Sequence, residues 1–108
     1  MMERISPQRD TYTDVGTGTA IEVGGAVQNF SLQVAGDKVA ATSWSVNLEG
    51  SLDGVNFEPL LTHTETHGDG RVIFNGNQVY PVMFIRSKVT ALTLGSATRL
   101  MVYILGMP

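Results

Sequence analysis

The sequence contains no cysteine, little charge and no long apolar run, and each absence excludes a class of protein. Without cysteine there is no disulfide framework, no CxxC redox motif and no thiolate metal site. The basic residues are scattered and form no concentrated positive patch for nucleic acid. No apolar run approaches the roughly 20 residues of a membrane-spanning helix. The segment Met1–Tyr12 also lacks the apolar core of a secretory signal. We therefore expect neither nucleic acid nor membrane as a partner.

The composition indicates one folded domain. Hydrophobic residues make up 43% of the 108 residues and charged residues only 16%. A disordered chain shows the opposite balance, and a chain of this length normally holds one core. The low charge content also suggests that part of the surface faces other protein.

Short alternating segments separated by glycine-rich turns predict an all-β fold. The clearest is Ser43–Ser51, in which Trp44, Val46 and Leu48 share one face. We predict an antiparallel β-sandwich, jelly-roll-like, of about seven or eight short strands. Residues 1–16 are polar and are interpreted as an extended N-terminal arm, and residues 17–108 as the sandwich domain. The predicted strands are Thr19–Val23, Val27–Val34, Ser43–Ser51, Val55–Leu61, Arg71–Asn75, Val79–Val89 and Thr98–Leu105.

The last predicted strand is apolar on both faces. Leu100, Val102 and Ile104 share one face, and Met101, Tyr103 and Leu105 share the other. A strand of an antiparallel sheet with one wet face would not show this pattern. The second face is therefore covered either by the N-terminal arm or by another subunit.

One cluster has the spacing of metal ligands. His63, Glu65 and His67 are two residues apart and would share one face of a strand. Two histidines and a carboxylate suit zinc or iron. The favoured alternative is a solvent-exposed hairpin, since strand spacing places three such side chains on any wet face. We predict no metal and no other cofactor.

No motif indicates catalysis. The chain has neither a GxSxG nucleophile elbow nor a phosphate-binding loop with its lysine and helix. Trp44 lies on the inward face and is expected in the core. We predict that the protein is not an enzyme.

The segment Val46–Leu60, VNLEGSLDGVNFEPL, resembles a hairpin found in small β-sandwich proteins of tailed bacteriophages. The hairpin is also similar to one in discoidin-like sandwiches. The resemblance to the phage proteins extends over most of residues 16–106 through further segments: Gly16–Val23, Phe30–Val34, Gly68–Phe74, Pro81–Ser87 and Val89–Gly95.

The resemblance implies a virion structural protein, in particular a capsid decoration (cement) protein that binds the outer capsid surface and stabilises the shell. Such a protein is made in the host cytoplasm, contacts the major capsid protein or other virion proteins, and forms a homo-oligomer such as a trimer. The alternatives are a carbohydrate-binding module or a tail or connector sandwich of a phage particle. The predicted interface residues are Arg4, Ile5, Pro7, Arg9 and Tyr12 of the arm and Met101, Tyr103 and Leu105 of the last strand.

Overall fold

The computed structural model describes residues 7–23, 29–65, 70–75 and 82–107, and these form two antiparallel sheets. The strands are β1 (Gln8–Tyr12), β2 (Gly16–Thr17), β3 (Ile21–Glu22), β4 (Asn29–Gly36), β5 (Ser43–Ser51), β6 (Glu58–Glu65), β7 (Gly70–Asn75), β8 (Phe84–Thr93) and β9 (Leu100–Met107). The described part of the chain contains no helix that could cross a membrane.

The strand order is that of a jelly roll. Sheet A has the order β1-β9-β4-β7, and sheet B has the order β2-β8-β5-β6, with β3 also paired to β8. When β2 and β3 are counted as one interrupted edge strand, eight strands divide evenly between the sheets. First pairs with last, second with next to last, and so on inward, as in a long hairpin rolled into a sandwich. The predicted all-β, jelly-roll-like sandwich is confirmed.

The core lies between the sheets and follows the alternation of the sequence. Trp44, Val46 and Leu48 of β5 are at most 1% exposed, as are Leu100 and Val102 of β9. The observed bounds of β5 are those predicted from its pattern. Strand β9 begins two residues later than predicted and continues through Met107.

Pro59 in β6 has no N–H to donate to a neighbouring strand, and such a proline favours an edge or a bulge. In the structure β6 is the last strand of sheet B, and the pairing shifts where Leu48 faces Leu61 and Glu49 faces Pro59. Leu60 is the extra residue of this bulge. Both the edge position and the bulge agree with the missing N–H of Pro59.

Residues 1–16 were interpreted as an extended arm, and this interpretation is wrong for Gln8–Tyr12. Gln8–Tyr12 forms β1, which pairs with β9 along its whole length, from Gln8 opposite Ile104 to Tyr12 opposite Leu100. Tyr12 is only 6% exposed and belongs to the core. A polar segment can close a sheet edge, because backbone hydrogen bonds and one buried side chain are sufficient to hold it. Residues 1–6 lie outside the described residues.

Candidate functional site

The outer face of sheet A presents an apolar stripe to the surface. Met101, Tyr103 and Leu105 are half-buried, whereas their neighbours along β9 are fully buried and point into the core. The stripe is flanked by outward side chains of the adjacent strands, and the described members of this outer face are Arg9, Thr11, Ser31, Gln33, Ala35, Met101, Tyr103 and Leu105. None of these residues is acidic.

The opposite surface of the sandwich carries a polar group of described residues, Ser45, Asn47, Thr62, Thr64 and Lys88. On the outer face of sheet B, the hydroxyls of Ser45 and Thr64 are 2.9 Å apart, and Thr62 donates to the amide oxygen of Asn47 over 2.7 Å. Lys88 pairs with Asn47 on the neighbouring strand. Hydroxyl and amide groups in register along two strands satisfy one another and remain compatible with water. The two faces of the sandwich therefore differ in chemistry.

The structure brings some predicted interface residues together and separates others. Met101, Tyr103 and Leu105 lie side by side, and Arg9 is directly opposite Tyr103 on β1. Pro7 is exposed just before β1. Tyr12 was predicted at the interface, but its side chain points between the sheets and is not available to a partner. Arg4 and Ile5 lie outside the described residues.

Tyr12 joins the two sheets through a buried hydrogen bond. Its hydroxyl is 2.6 Å from the hydroxyl of Ser87 on β8, which is fully buried. Burial raises the pKa of Tyr12 above its ordinary value. Gly18 permits this close approach, because a Cβ at that position would lie 2.5 Å from the Tyr12 hydroxyl and 2.6 Å from that of Ser87. The hydroxyl pair has no access to a substrate, and its role is structural.

Of the three residues predicted as a possible metal site, the structure describes two, His63 and Glu65. His63 and Glu65 share a face, as predicted, and His63 Nε2 is 3.3 Å from Glu65 Oε2 without forming a hydrogen bond to any described group. The His63 ring lies 5.2 Å from that of Trp44. His67 lies outside the described residues. Among the residues that the structure describes, no three histidine, aspartate or glutamate side chains converge as metal ligands.

The loop between β5 and β6 is held by Asp53. One oxygen of this carboxylate accepts hydrogen bonds from the Ser51 hydroxyl and from the backbone N–H groups of Val55 and Asn56, each over 2.8 Å. The other oxygen accepts from the Asn56 side chain over 2.8 Å. The backbone donors of Asn56 and Val55 hold the pKa of Asp53 far below its usual value. Gly54 completes the turn at a φ of 78°, a conformation that glycine adopts without steric cost.

The same loop exposes two aliphatic side chains that the sequence pattern did not reveal. Leu52 is 67% exposed and Val55 is 77% exposed. We predicted a strand from Val55 onward, which would have alternated Val55 and Phe57 with polar residues. In the structure β6 begins only at Glu58, because the Asp53 hydrogen bonds extend the turn through Asn56. The DGxN spacing of Asp53, Gly54 and Asn56 was the available signal for this longer turn.

A buried ion pair lies at the base of the loop. Glu49 is 5% exposed, and Arg86 Nε donates to its Oε1 over 2.8 Å. The Arg86 guanidinium also lies over the Phe57 ring, 3.9 Å from its centroid. Arg86 therefore neutralises a buried carboxylate and covers an aromatic ring that would otherwise contact solvent.

A surface cleft of about 310 Å³ lies beside the loop, lined by Gly50, Ser51, Leu52, Asp53, Asn56, Glu58 and Val82. Its size is at the lower limit for small-molecule sites. The Asp53 carboxylate is already engaged by four donors, so it is not poised to act as a base. The Ser51 hydroxyl is also engaged, since it donates to Asp53 and accepts from the backbone N–H groups of Asp53 and Gly54, so this hydroxyl and carboxylate hold the turn.

Neither a family model nor a curated protein matches the sequence. Among solved structures, the chain is similar to the crystal structure of the SPBc2 prophage-derived protein YomS, with a TM-score of 0.57 and 10% sequence identity. The alignment covers 99% of this chain and 98% of that one. At this identity the similarity shows a shared fold over nearly the whole of both chains.

Proposed function

We propose that the chain is a non-enzymatic structural protein of a phage particle, and that it decorates the outer surface of the capsid as an oligomer. Copies contact one another through the outer face of sheet A. Residues near the N-terminus, with Arg4, Ile5 and Pro7, contact the major capsid protein or neighbouring virion proteins.

The chemical difference between the two outer faces carries the proposal. Met101, Tyr103 and Leu105 occupy the middle of one sheet, whereas Ser45, Thr64 and other polar residues occupy the other. A contiguous apolar patch on a small soluble domain marks a contact surface. Isolated exposed apolar residues need no such explanation, but these three are adjacent along one strand.

Two further observations support a phage particle as the setting. The fold is similar to that of a prophage-derived protein over nearly the full length. The hairpin from Val46 to Leu60 resembles hairpins of phage sandwich proteins, and this is a resemblance of sequence and not of fold. Jelly rolls also occur in lectins, and a fold alone does not determine function. The choice between decoration and carbohydrate binding therefore depends on which side chains the surface displays.

The aromatic side chains that the structure describes favour decoration over the carbohydrate-binding alternative. Sugar-binding modules display aromatic rings to solvent, but Trp44 is 1% exposed and Tyr12 is 6% exposed. Phe57 is covered by Arg86. Among the described residues, Tyr103 is the aromatic side chain on the outer face of sheet A, where it stands between two aliphatic neighbours.

Co-sedimentation tests the proposal. The purified chain is mixed with emptied shells of the phage whose genome encodes it, and the bound fraction is measured after pelleting. We expect saturable binding at a fixed ratio to the capsid protein. The variant Met101→Thr/Leu105→Thr should bind at least about tenfold more weakly, because separate copies lose the avidity of linked ones.

The matched control is Thr62→Ala/Thr64→Ala, which alters two side chains on the outer face of sheet B and should bind as the wild type does. A wild-type protein that stays in the supernatant would contradict capsid decoration. Binding to tails in place of shells would favour the tail or connector alternative, and binding to a glycan array without shell binding would favour the carbohydrate-binding one.

A further inference from the structure

We propose that the loop between β5 and β6 of one copy, residues 51–57, docks on the outer face of sheet A of a second copy. This inference rests on the proposed function in one respect, namely that the outer face of sheet A is a contact between copies. It adds which surface of the other copy contacts this face, namely the loop of residues 51–57.

The loop has the form of a preorganised apolar anchor. Leu52 and Val55 are the two most exposed of the large hydrophobic side chains described, at 67% and 77%. The four hydrogen bonds to the Asp53 carboxylate fix the backbone between them. A rigid loop loses less conformational entropy on binding than a flexible one, so more of the free energy of its apolar contacts remains as affinity.

The charges of the two surfaces are complementary. The loop holds Asp53 and is followed by the exposed Glu58, and no basic residue occurs within residues 51–57. The outer face of sheet A holds Arg9 and no acidic residue among its described members. The exposed carboxylates of Asp53 and Glu58 beside two aliphatic side chains therefore match an apolar stripe bordered by a guanidinium, and the nearby Arg86 is already paired with Glu49.

The two surfaces cannot meet within one molecule. β1, which carries Arg9, is the edge of sheet A that lies beside β8, as the bond between Tyr12 and Ser87 shows. β6, which carries Glu58, is at the far edge of sheet B. A contact between them joins two copies through unlike surfaces, and such a contact closes into a ring when the rotation between copies permits.

A complementation experiment tests the inference with purified protein alone. The loop variant is Leu52→Ser/Val55→Ser, and the face variant is Met101→Thr/Leu105→Thr. Sedimentation velocity should show that each variant alone associates at least about 30-fold more weakly than the wild type, given the apolar area that each loses from the contact. An equimolar mixture should form dimers, because one variant supplies an intact face and the other an intact loop.

The control Val15→Ser/Val39→Ser removes two other exposed aliphatic side chains, 53% and 46% exposed. It should associate as the wild type does. Thermal melting of each variant establishes that it is folded.

A charge exchange gives a second, independent readout. Arg9→Glu and Glu58→Arg should each weaken association, and the variant that carries both should recover most of it. Failure of the double variant to recover would overturn the contact between these two surfaces.

The outcomes separate this inference from the proposed function. If the loop variant associates like the wild type while the face variant does not, the outer faces of sheet A contact each other. That result would contradict the docking of the loop but not the proposed function. A wild type that stays monomeric at all concentrations, yet binds shells, would overturn both the inference and the contact between copies, while capsid binding would stand.

Discussion

Replacing Tyr12 with phenylalanine removes one oxygen atom and should lower the free energy of unfolding by about 1–2 kcal/mol. The hydroxyl is 2.6 Å from that of Ser87, and neither residue is accessible to water that could substitute. The substitution keeps the ring and therefore the packing of the core.

The magnitude follows from what is left behind. A net hydrogen bond contributes about 0.5–1.5 kcal/mol, and a buried hydroxyl without a partner costs about 1–3 kcal/mol. Ser87 can recover part of this free energy by donating to a nearby carbonyl. We therefore expect a loss of about 1–2 kcal/mol, which is less than the full cost of an unpaired buried hydroxyl. Ser87→Ala should have a similar effect, and the double variant should be more stable than the sum of the two predicts.

Urea denaturation followed by tryptophan fluorescence measures the change, since Trp44 lies in the same core. Tyr103→Phe is the matched control, because it removes the same atom from a half-buried ring on the outer face of sheet A. We expect the control to change stability by less than about 0.5 kcal/mol. Equal effects of the two substitutions would refute the conclusion that β1 is joined to sheet B through Tyr12.

Three further predictions concern the N-terminus, the buried ion pair and acid. Deleting residues 1–6 should leave the melting temperature unchanged, whereas deleting residues 1–12 should lower it by more than about 10 °C, because the second deletion removes β1 and a core aromatic. Arg86→Leu should lower the free energy of unfolding in urea by about 2–3 kcal/mol, since Glu49 is then buried without its partner. The pKa of Asp53 is lowered by folding, so its contribution is present above the unfolded-state value of about 3.9 and is lost as the pH falls below it. Asp53→Asn should therefore lose less stability than the wild type between about pH 4 and pH 2, measured by urea titrations at each pH.

The surface ion pair of Arg99 and Asp37 provides the control for the buried one. Its atoms are 3.0 Å apart, but the Arg99 side chain is 53% exposed. Arg99→Leu should therefore change stability by less than about 1 kcal/mol. If it destabilises as much as Arg86→Leu, burial is not what distinguishes the two pairs. For the deletions, equal melting temperatures would show that β1 does not contribute to the fold.

The alternation of apolar residues was enough to predict the fold class and the core of β5 and β9. Trp44, Val46 and Leu48 alternate with polar residues, and this period of two fixes which side chains face inward. The apolar second face of β9 was also predicted from the sequence, because Met101, Tyr103 and Leu105 occupy the positions that are polar in a strand with one solvent-exposed face. These patterns depend only on residues within one strand, so they can be read before the partner strands are known.

Two features that the alternation of apolar residues could not predict, the strand β1 and the burial of Glu49, depend on partners distant in sequence. β1 has one apolar side chain that is buried, Tyr12, and its strand character comes from pairing with β9, about 90 residues later. Glu49 alternates like an exposed residue, yet it is buried and paired with Arg86, whose guanidinium also lies over the Phe57 ring. The exposure of Leu52 and Val55 was not predicted from the alternation of apolar residues, because the hydrogen bonds of the Asp53 carboxylate determine the length of the turn.

The melting temperature of emptied shells, measured with increasing amounts of the chain, tests the central claim most directly. A ligand that binds only the assembled shell stabilises it in proportion to the logarithm of its concentration above the dissociation constant. We expect the shell transition to rise once the protein concentration exceeds the dissociation constant and then to climb with the logarithm of that concentration, and the Met101→Thr/Leu105→Thr variant to require a higher concentration for the same rise. A shell transition that stays constant at saturating protein would contradict the proposal that this chain stabilises a capsid.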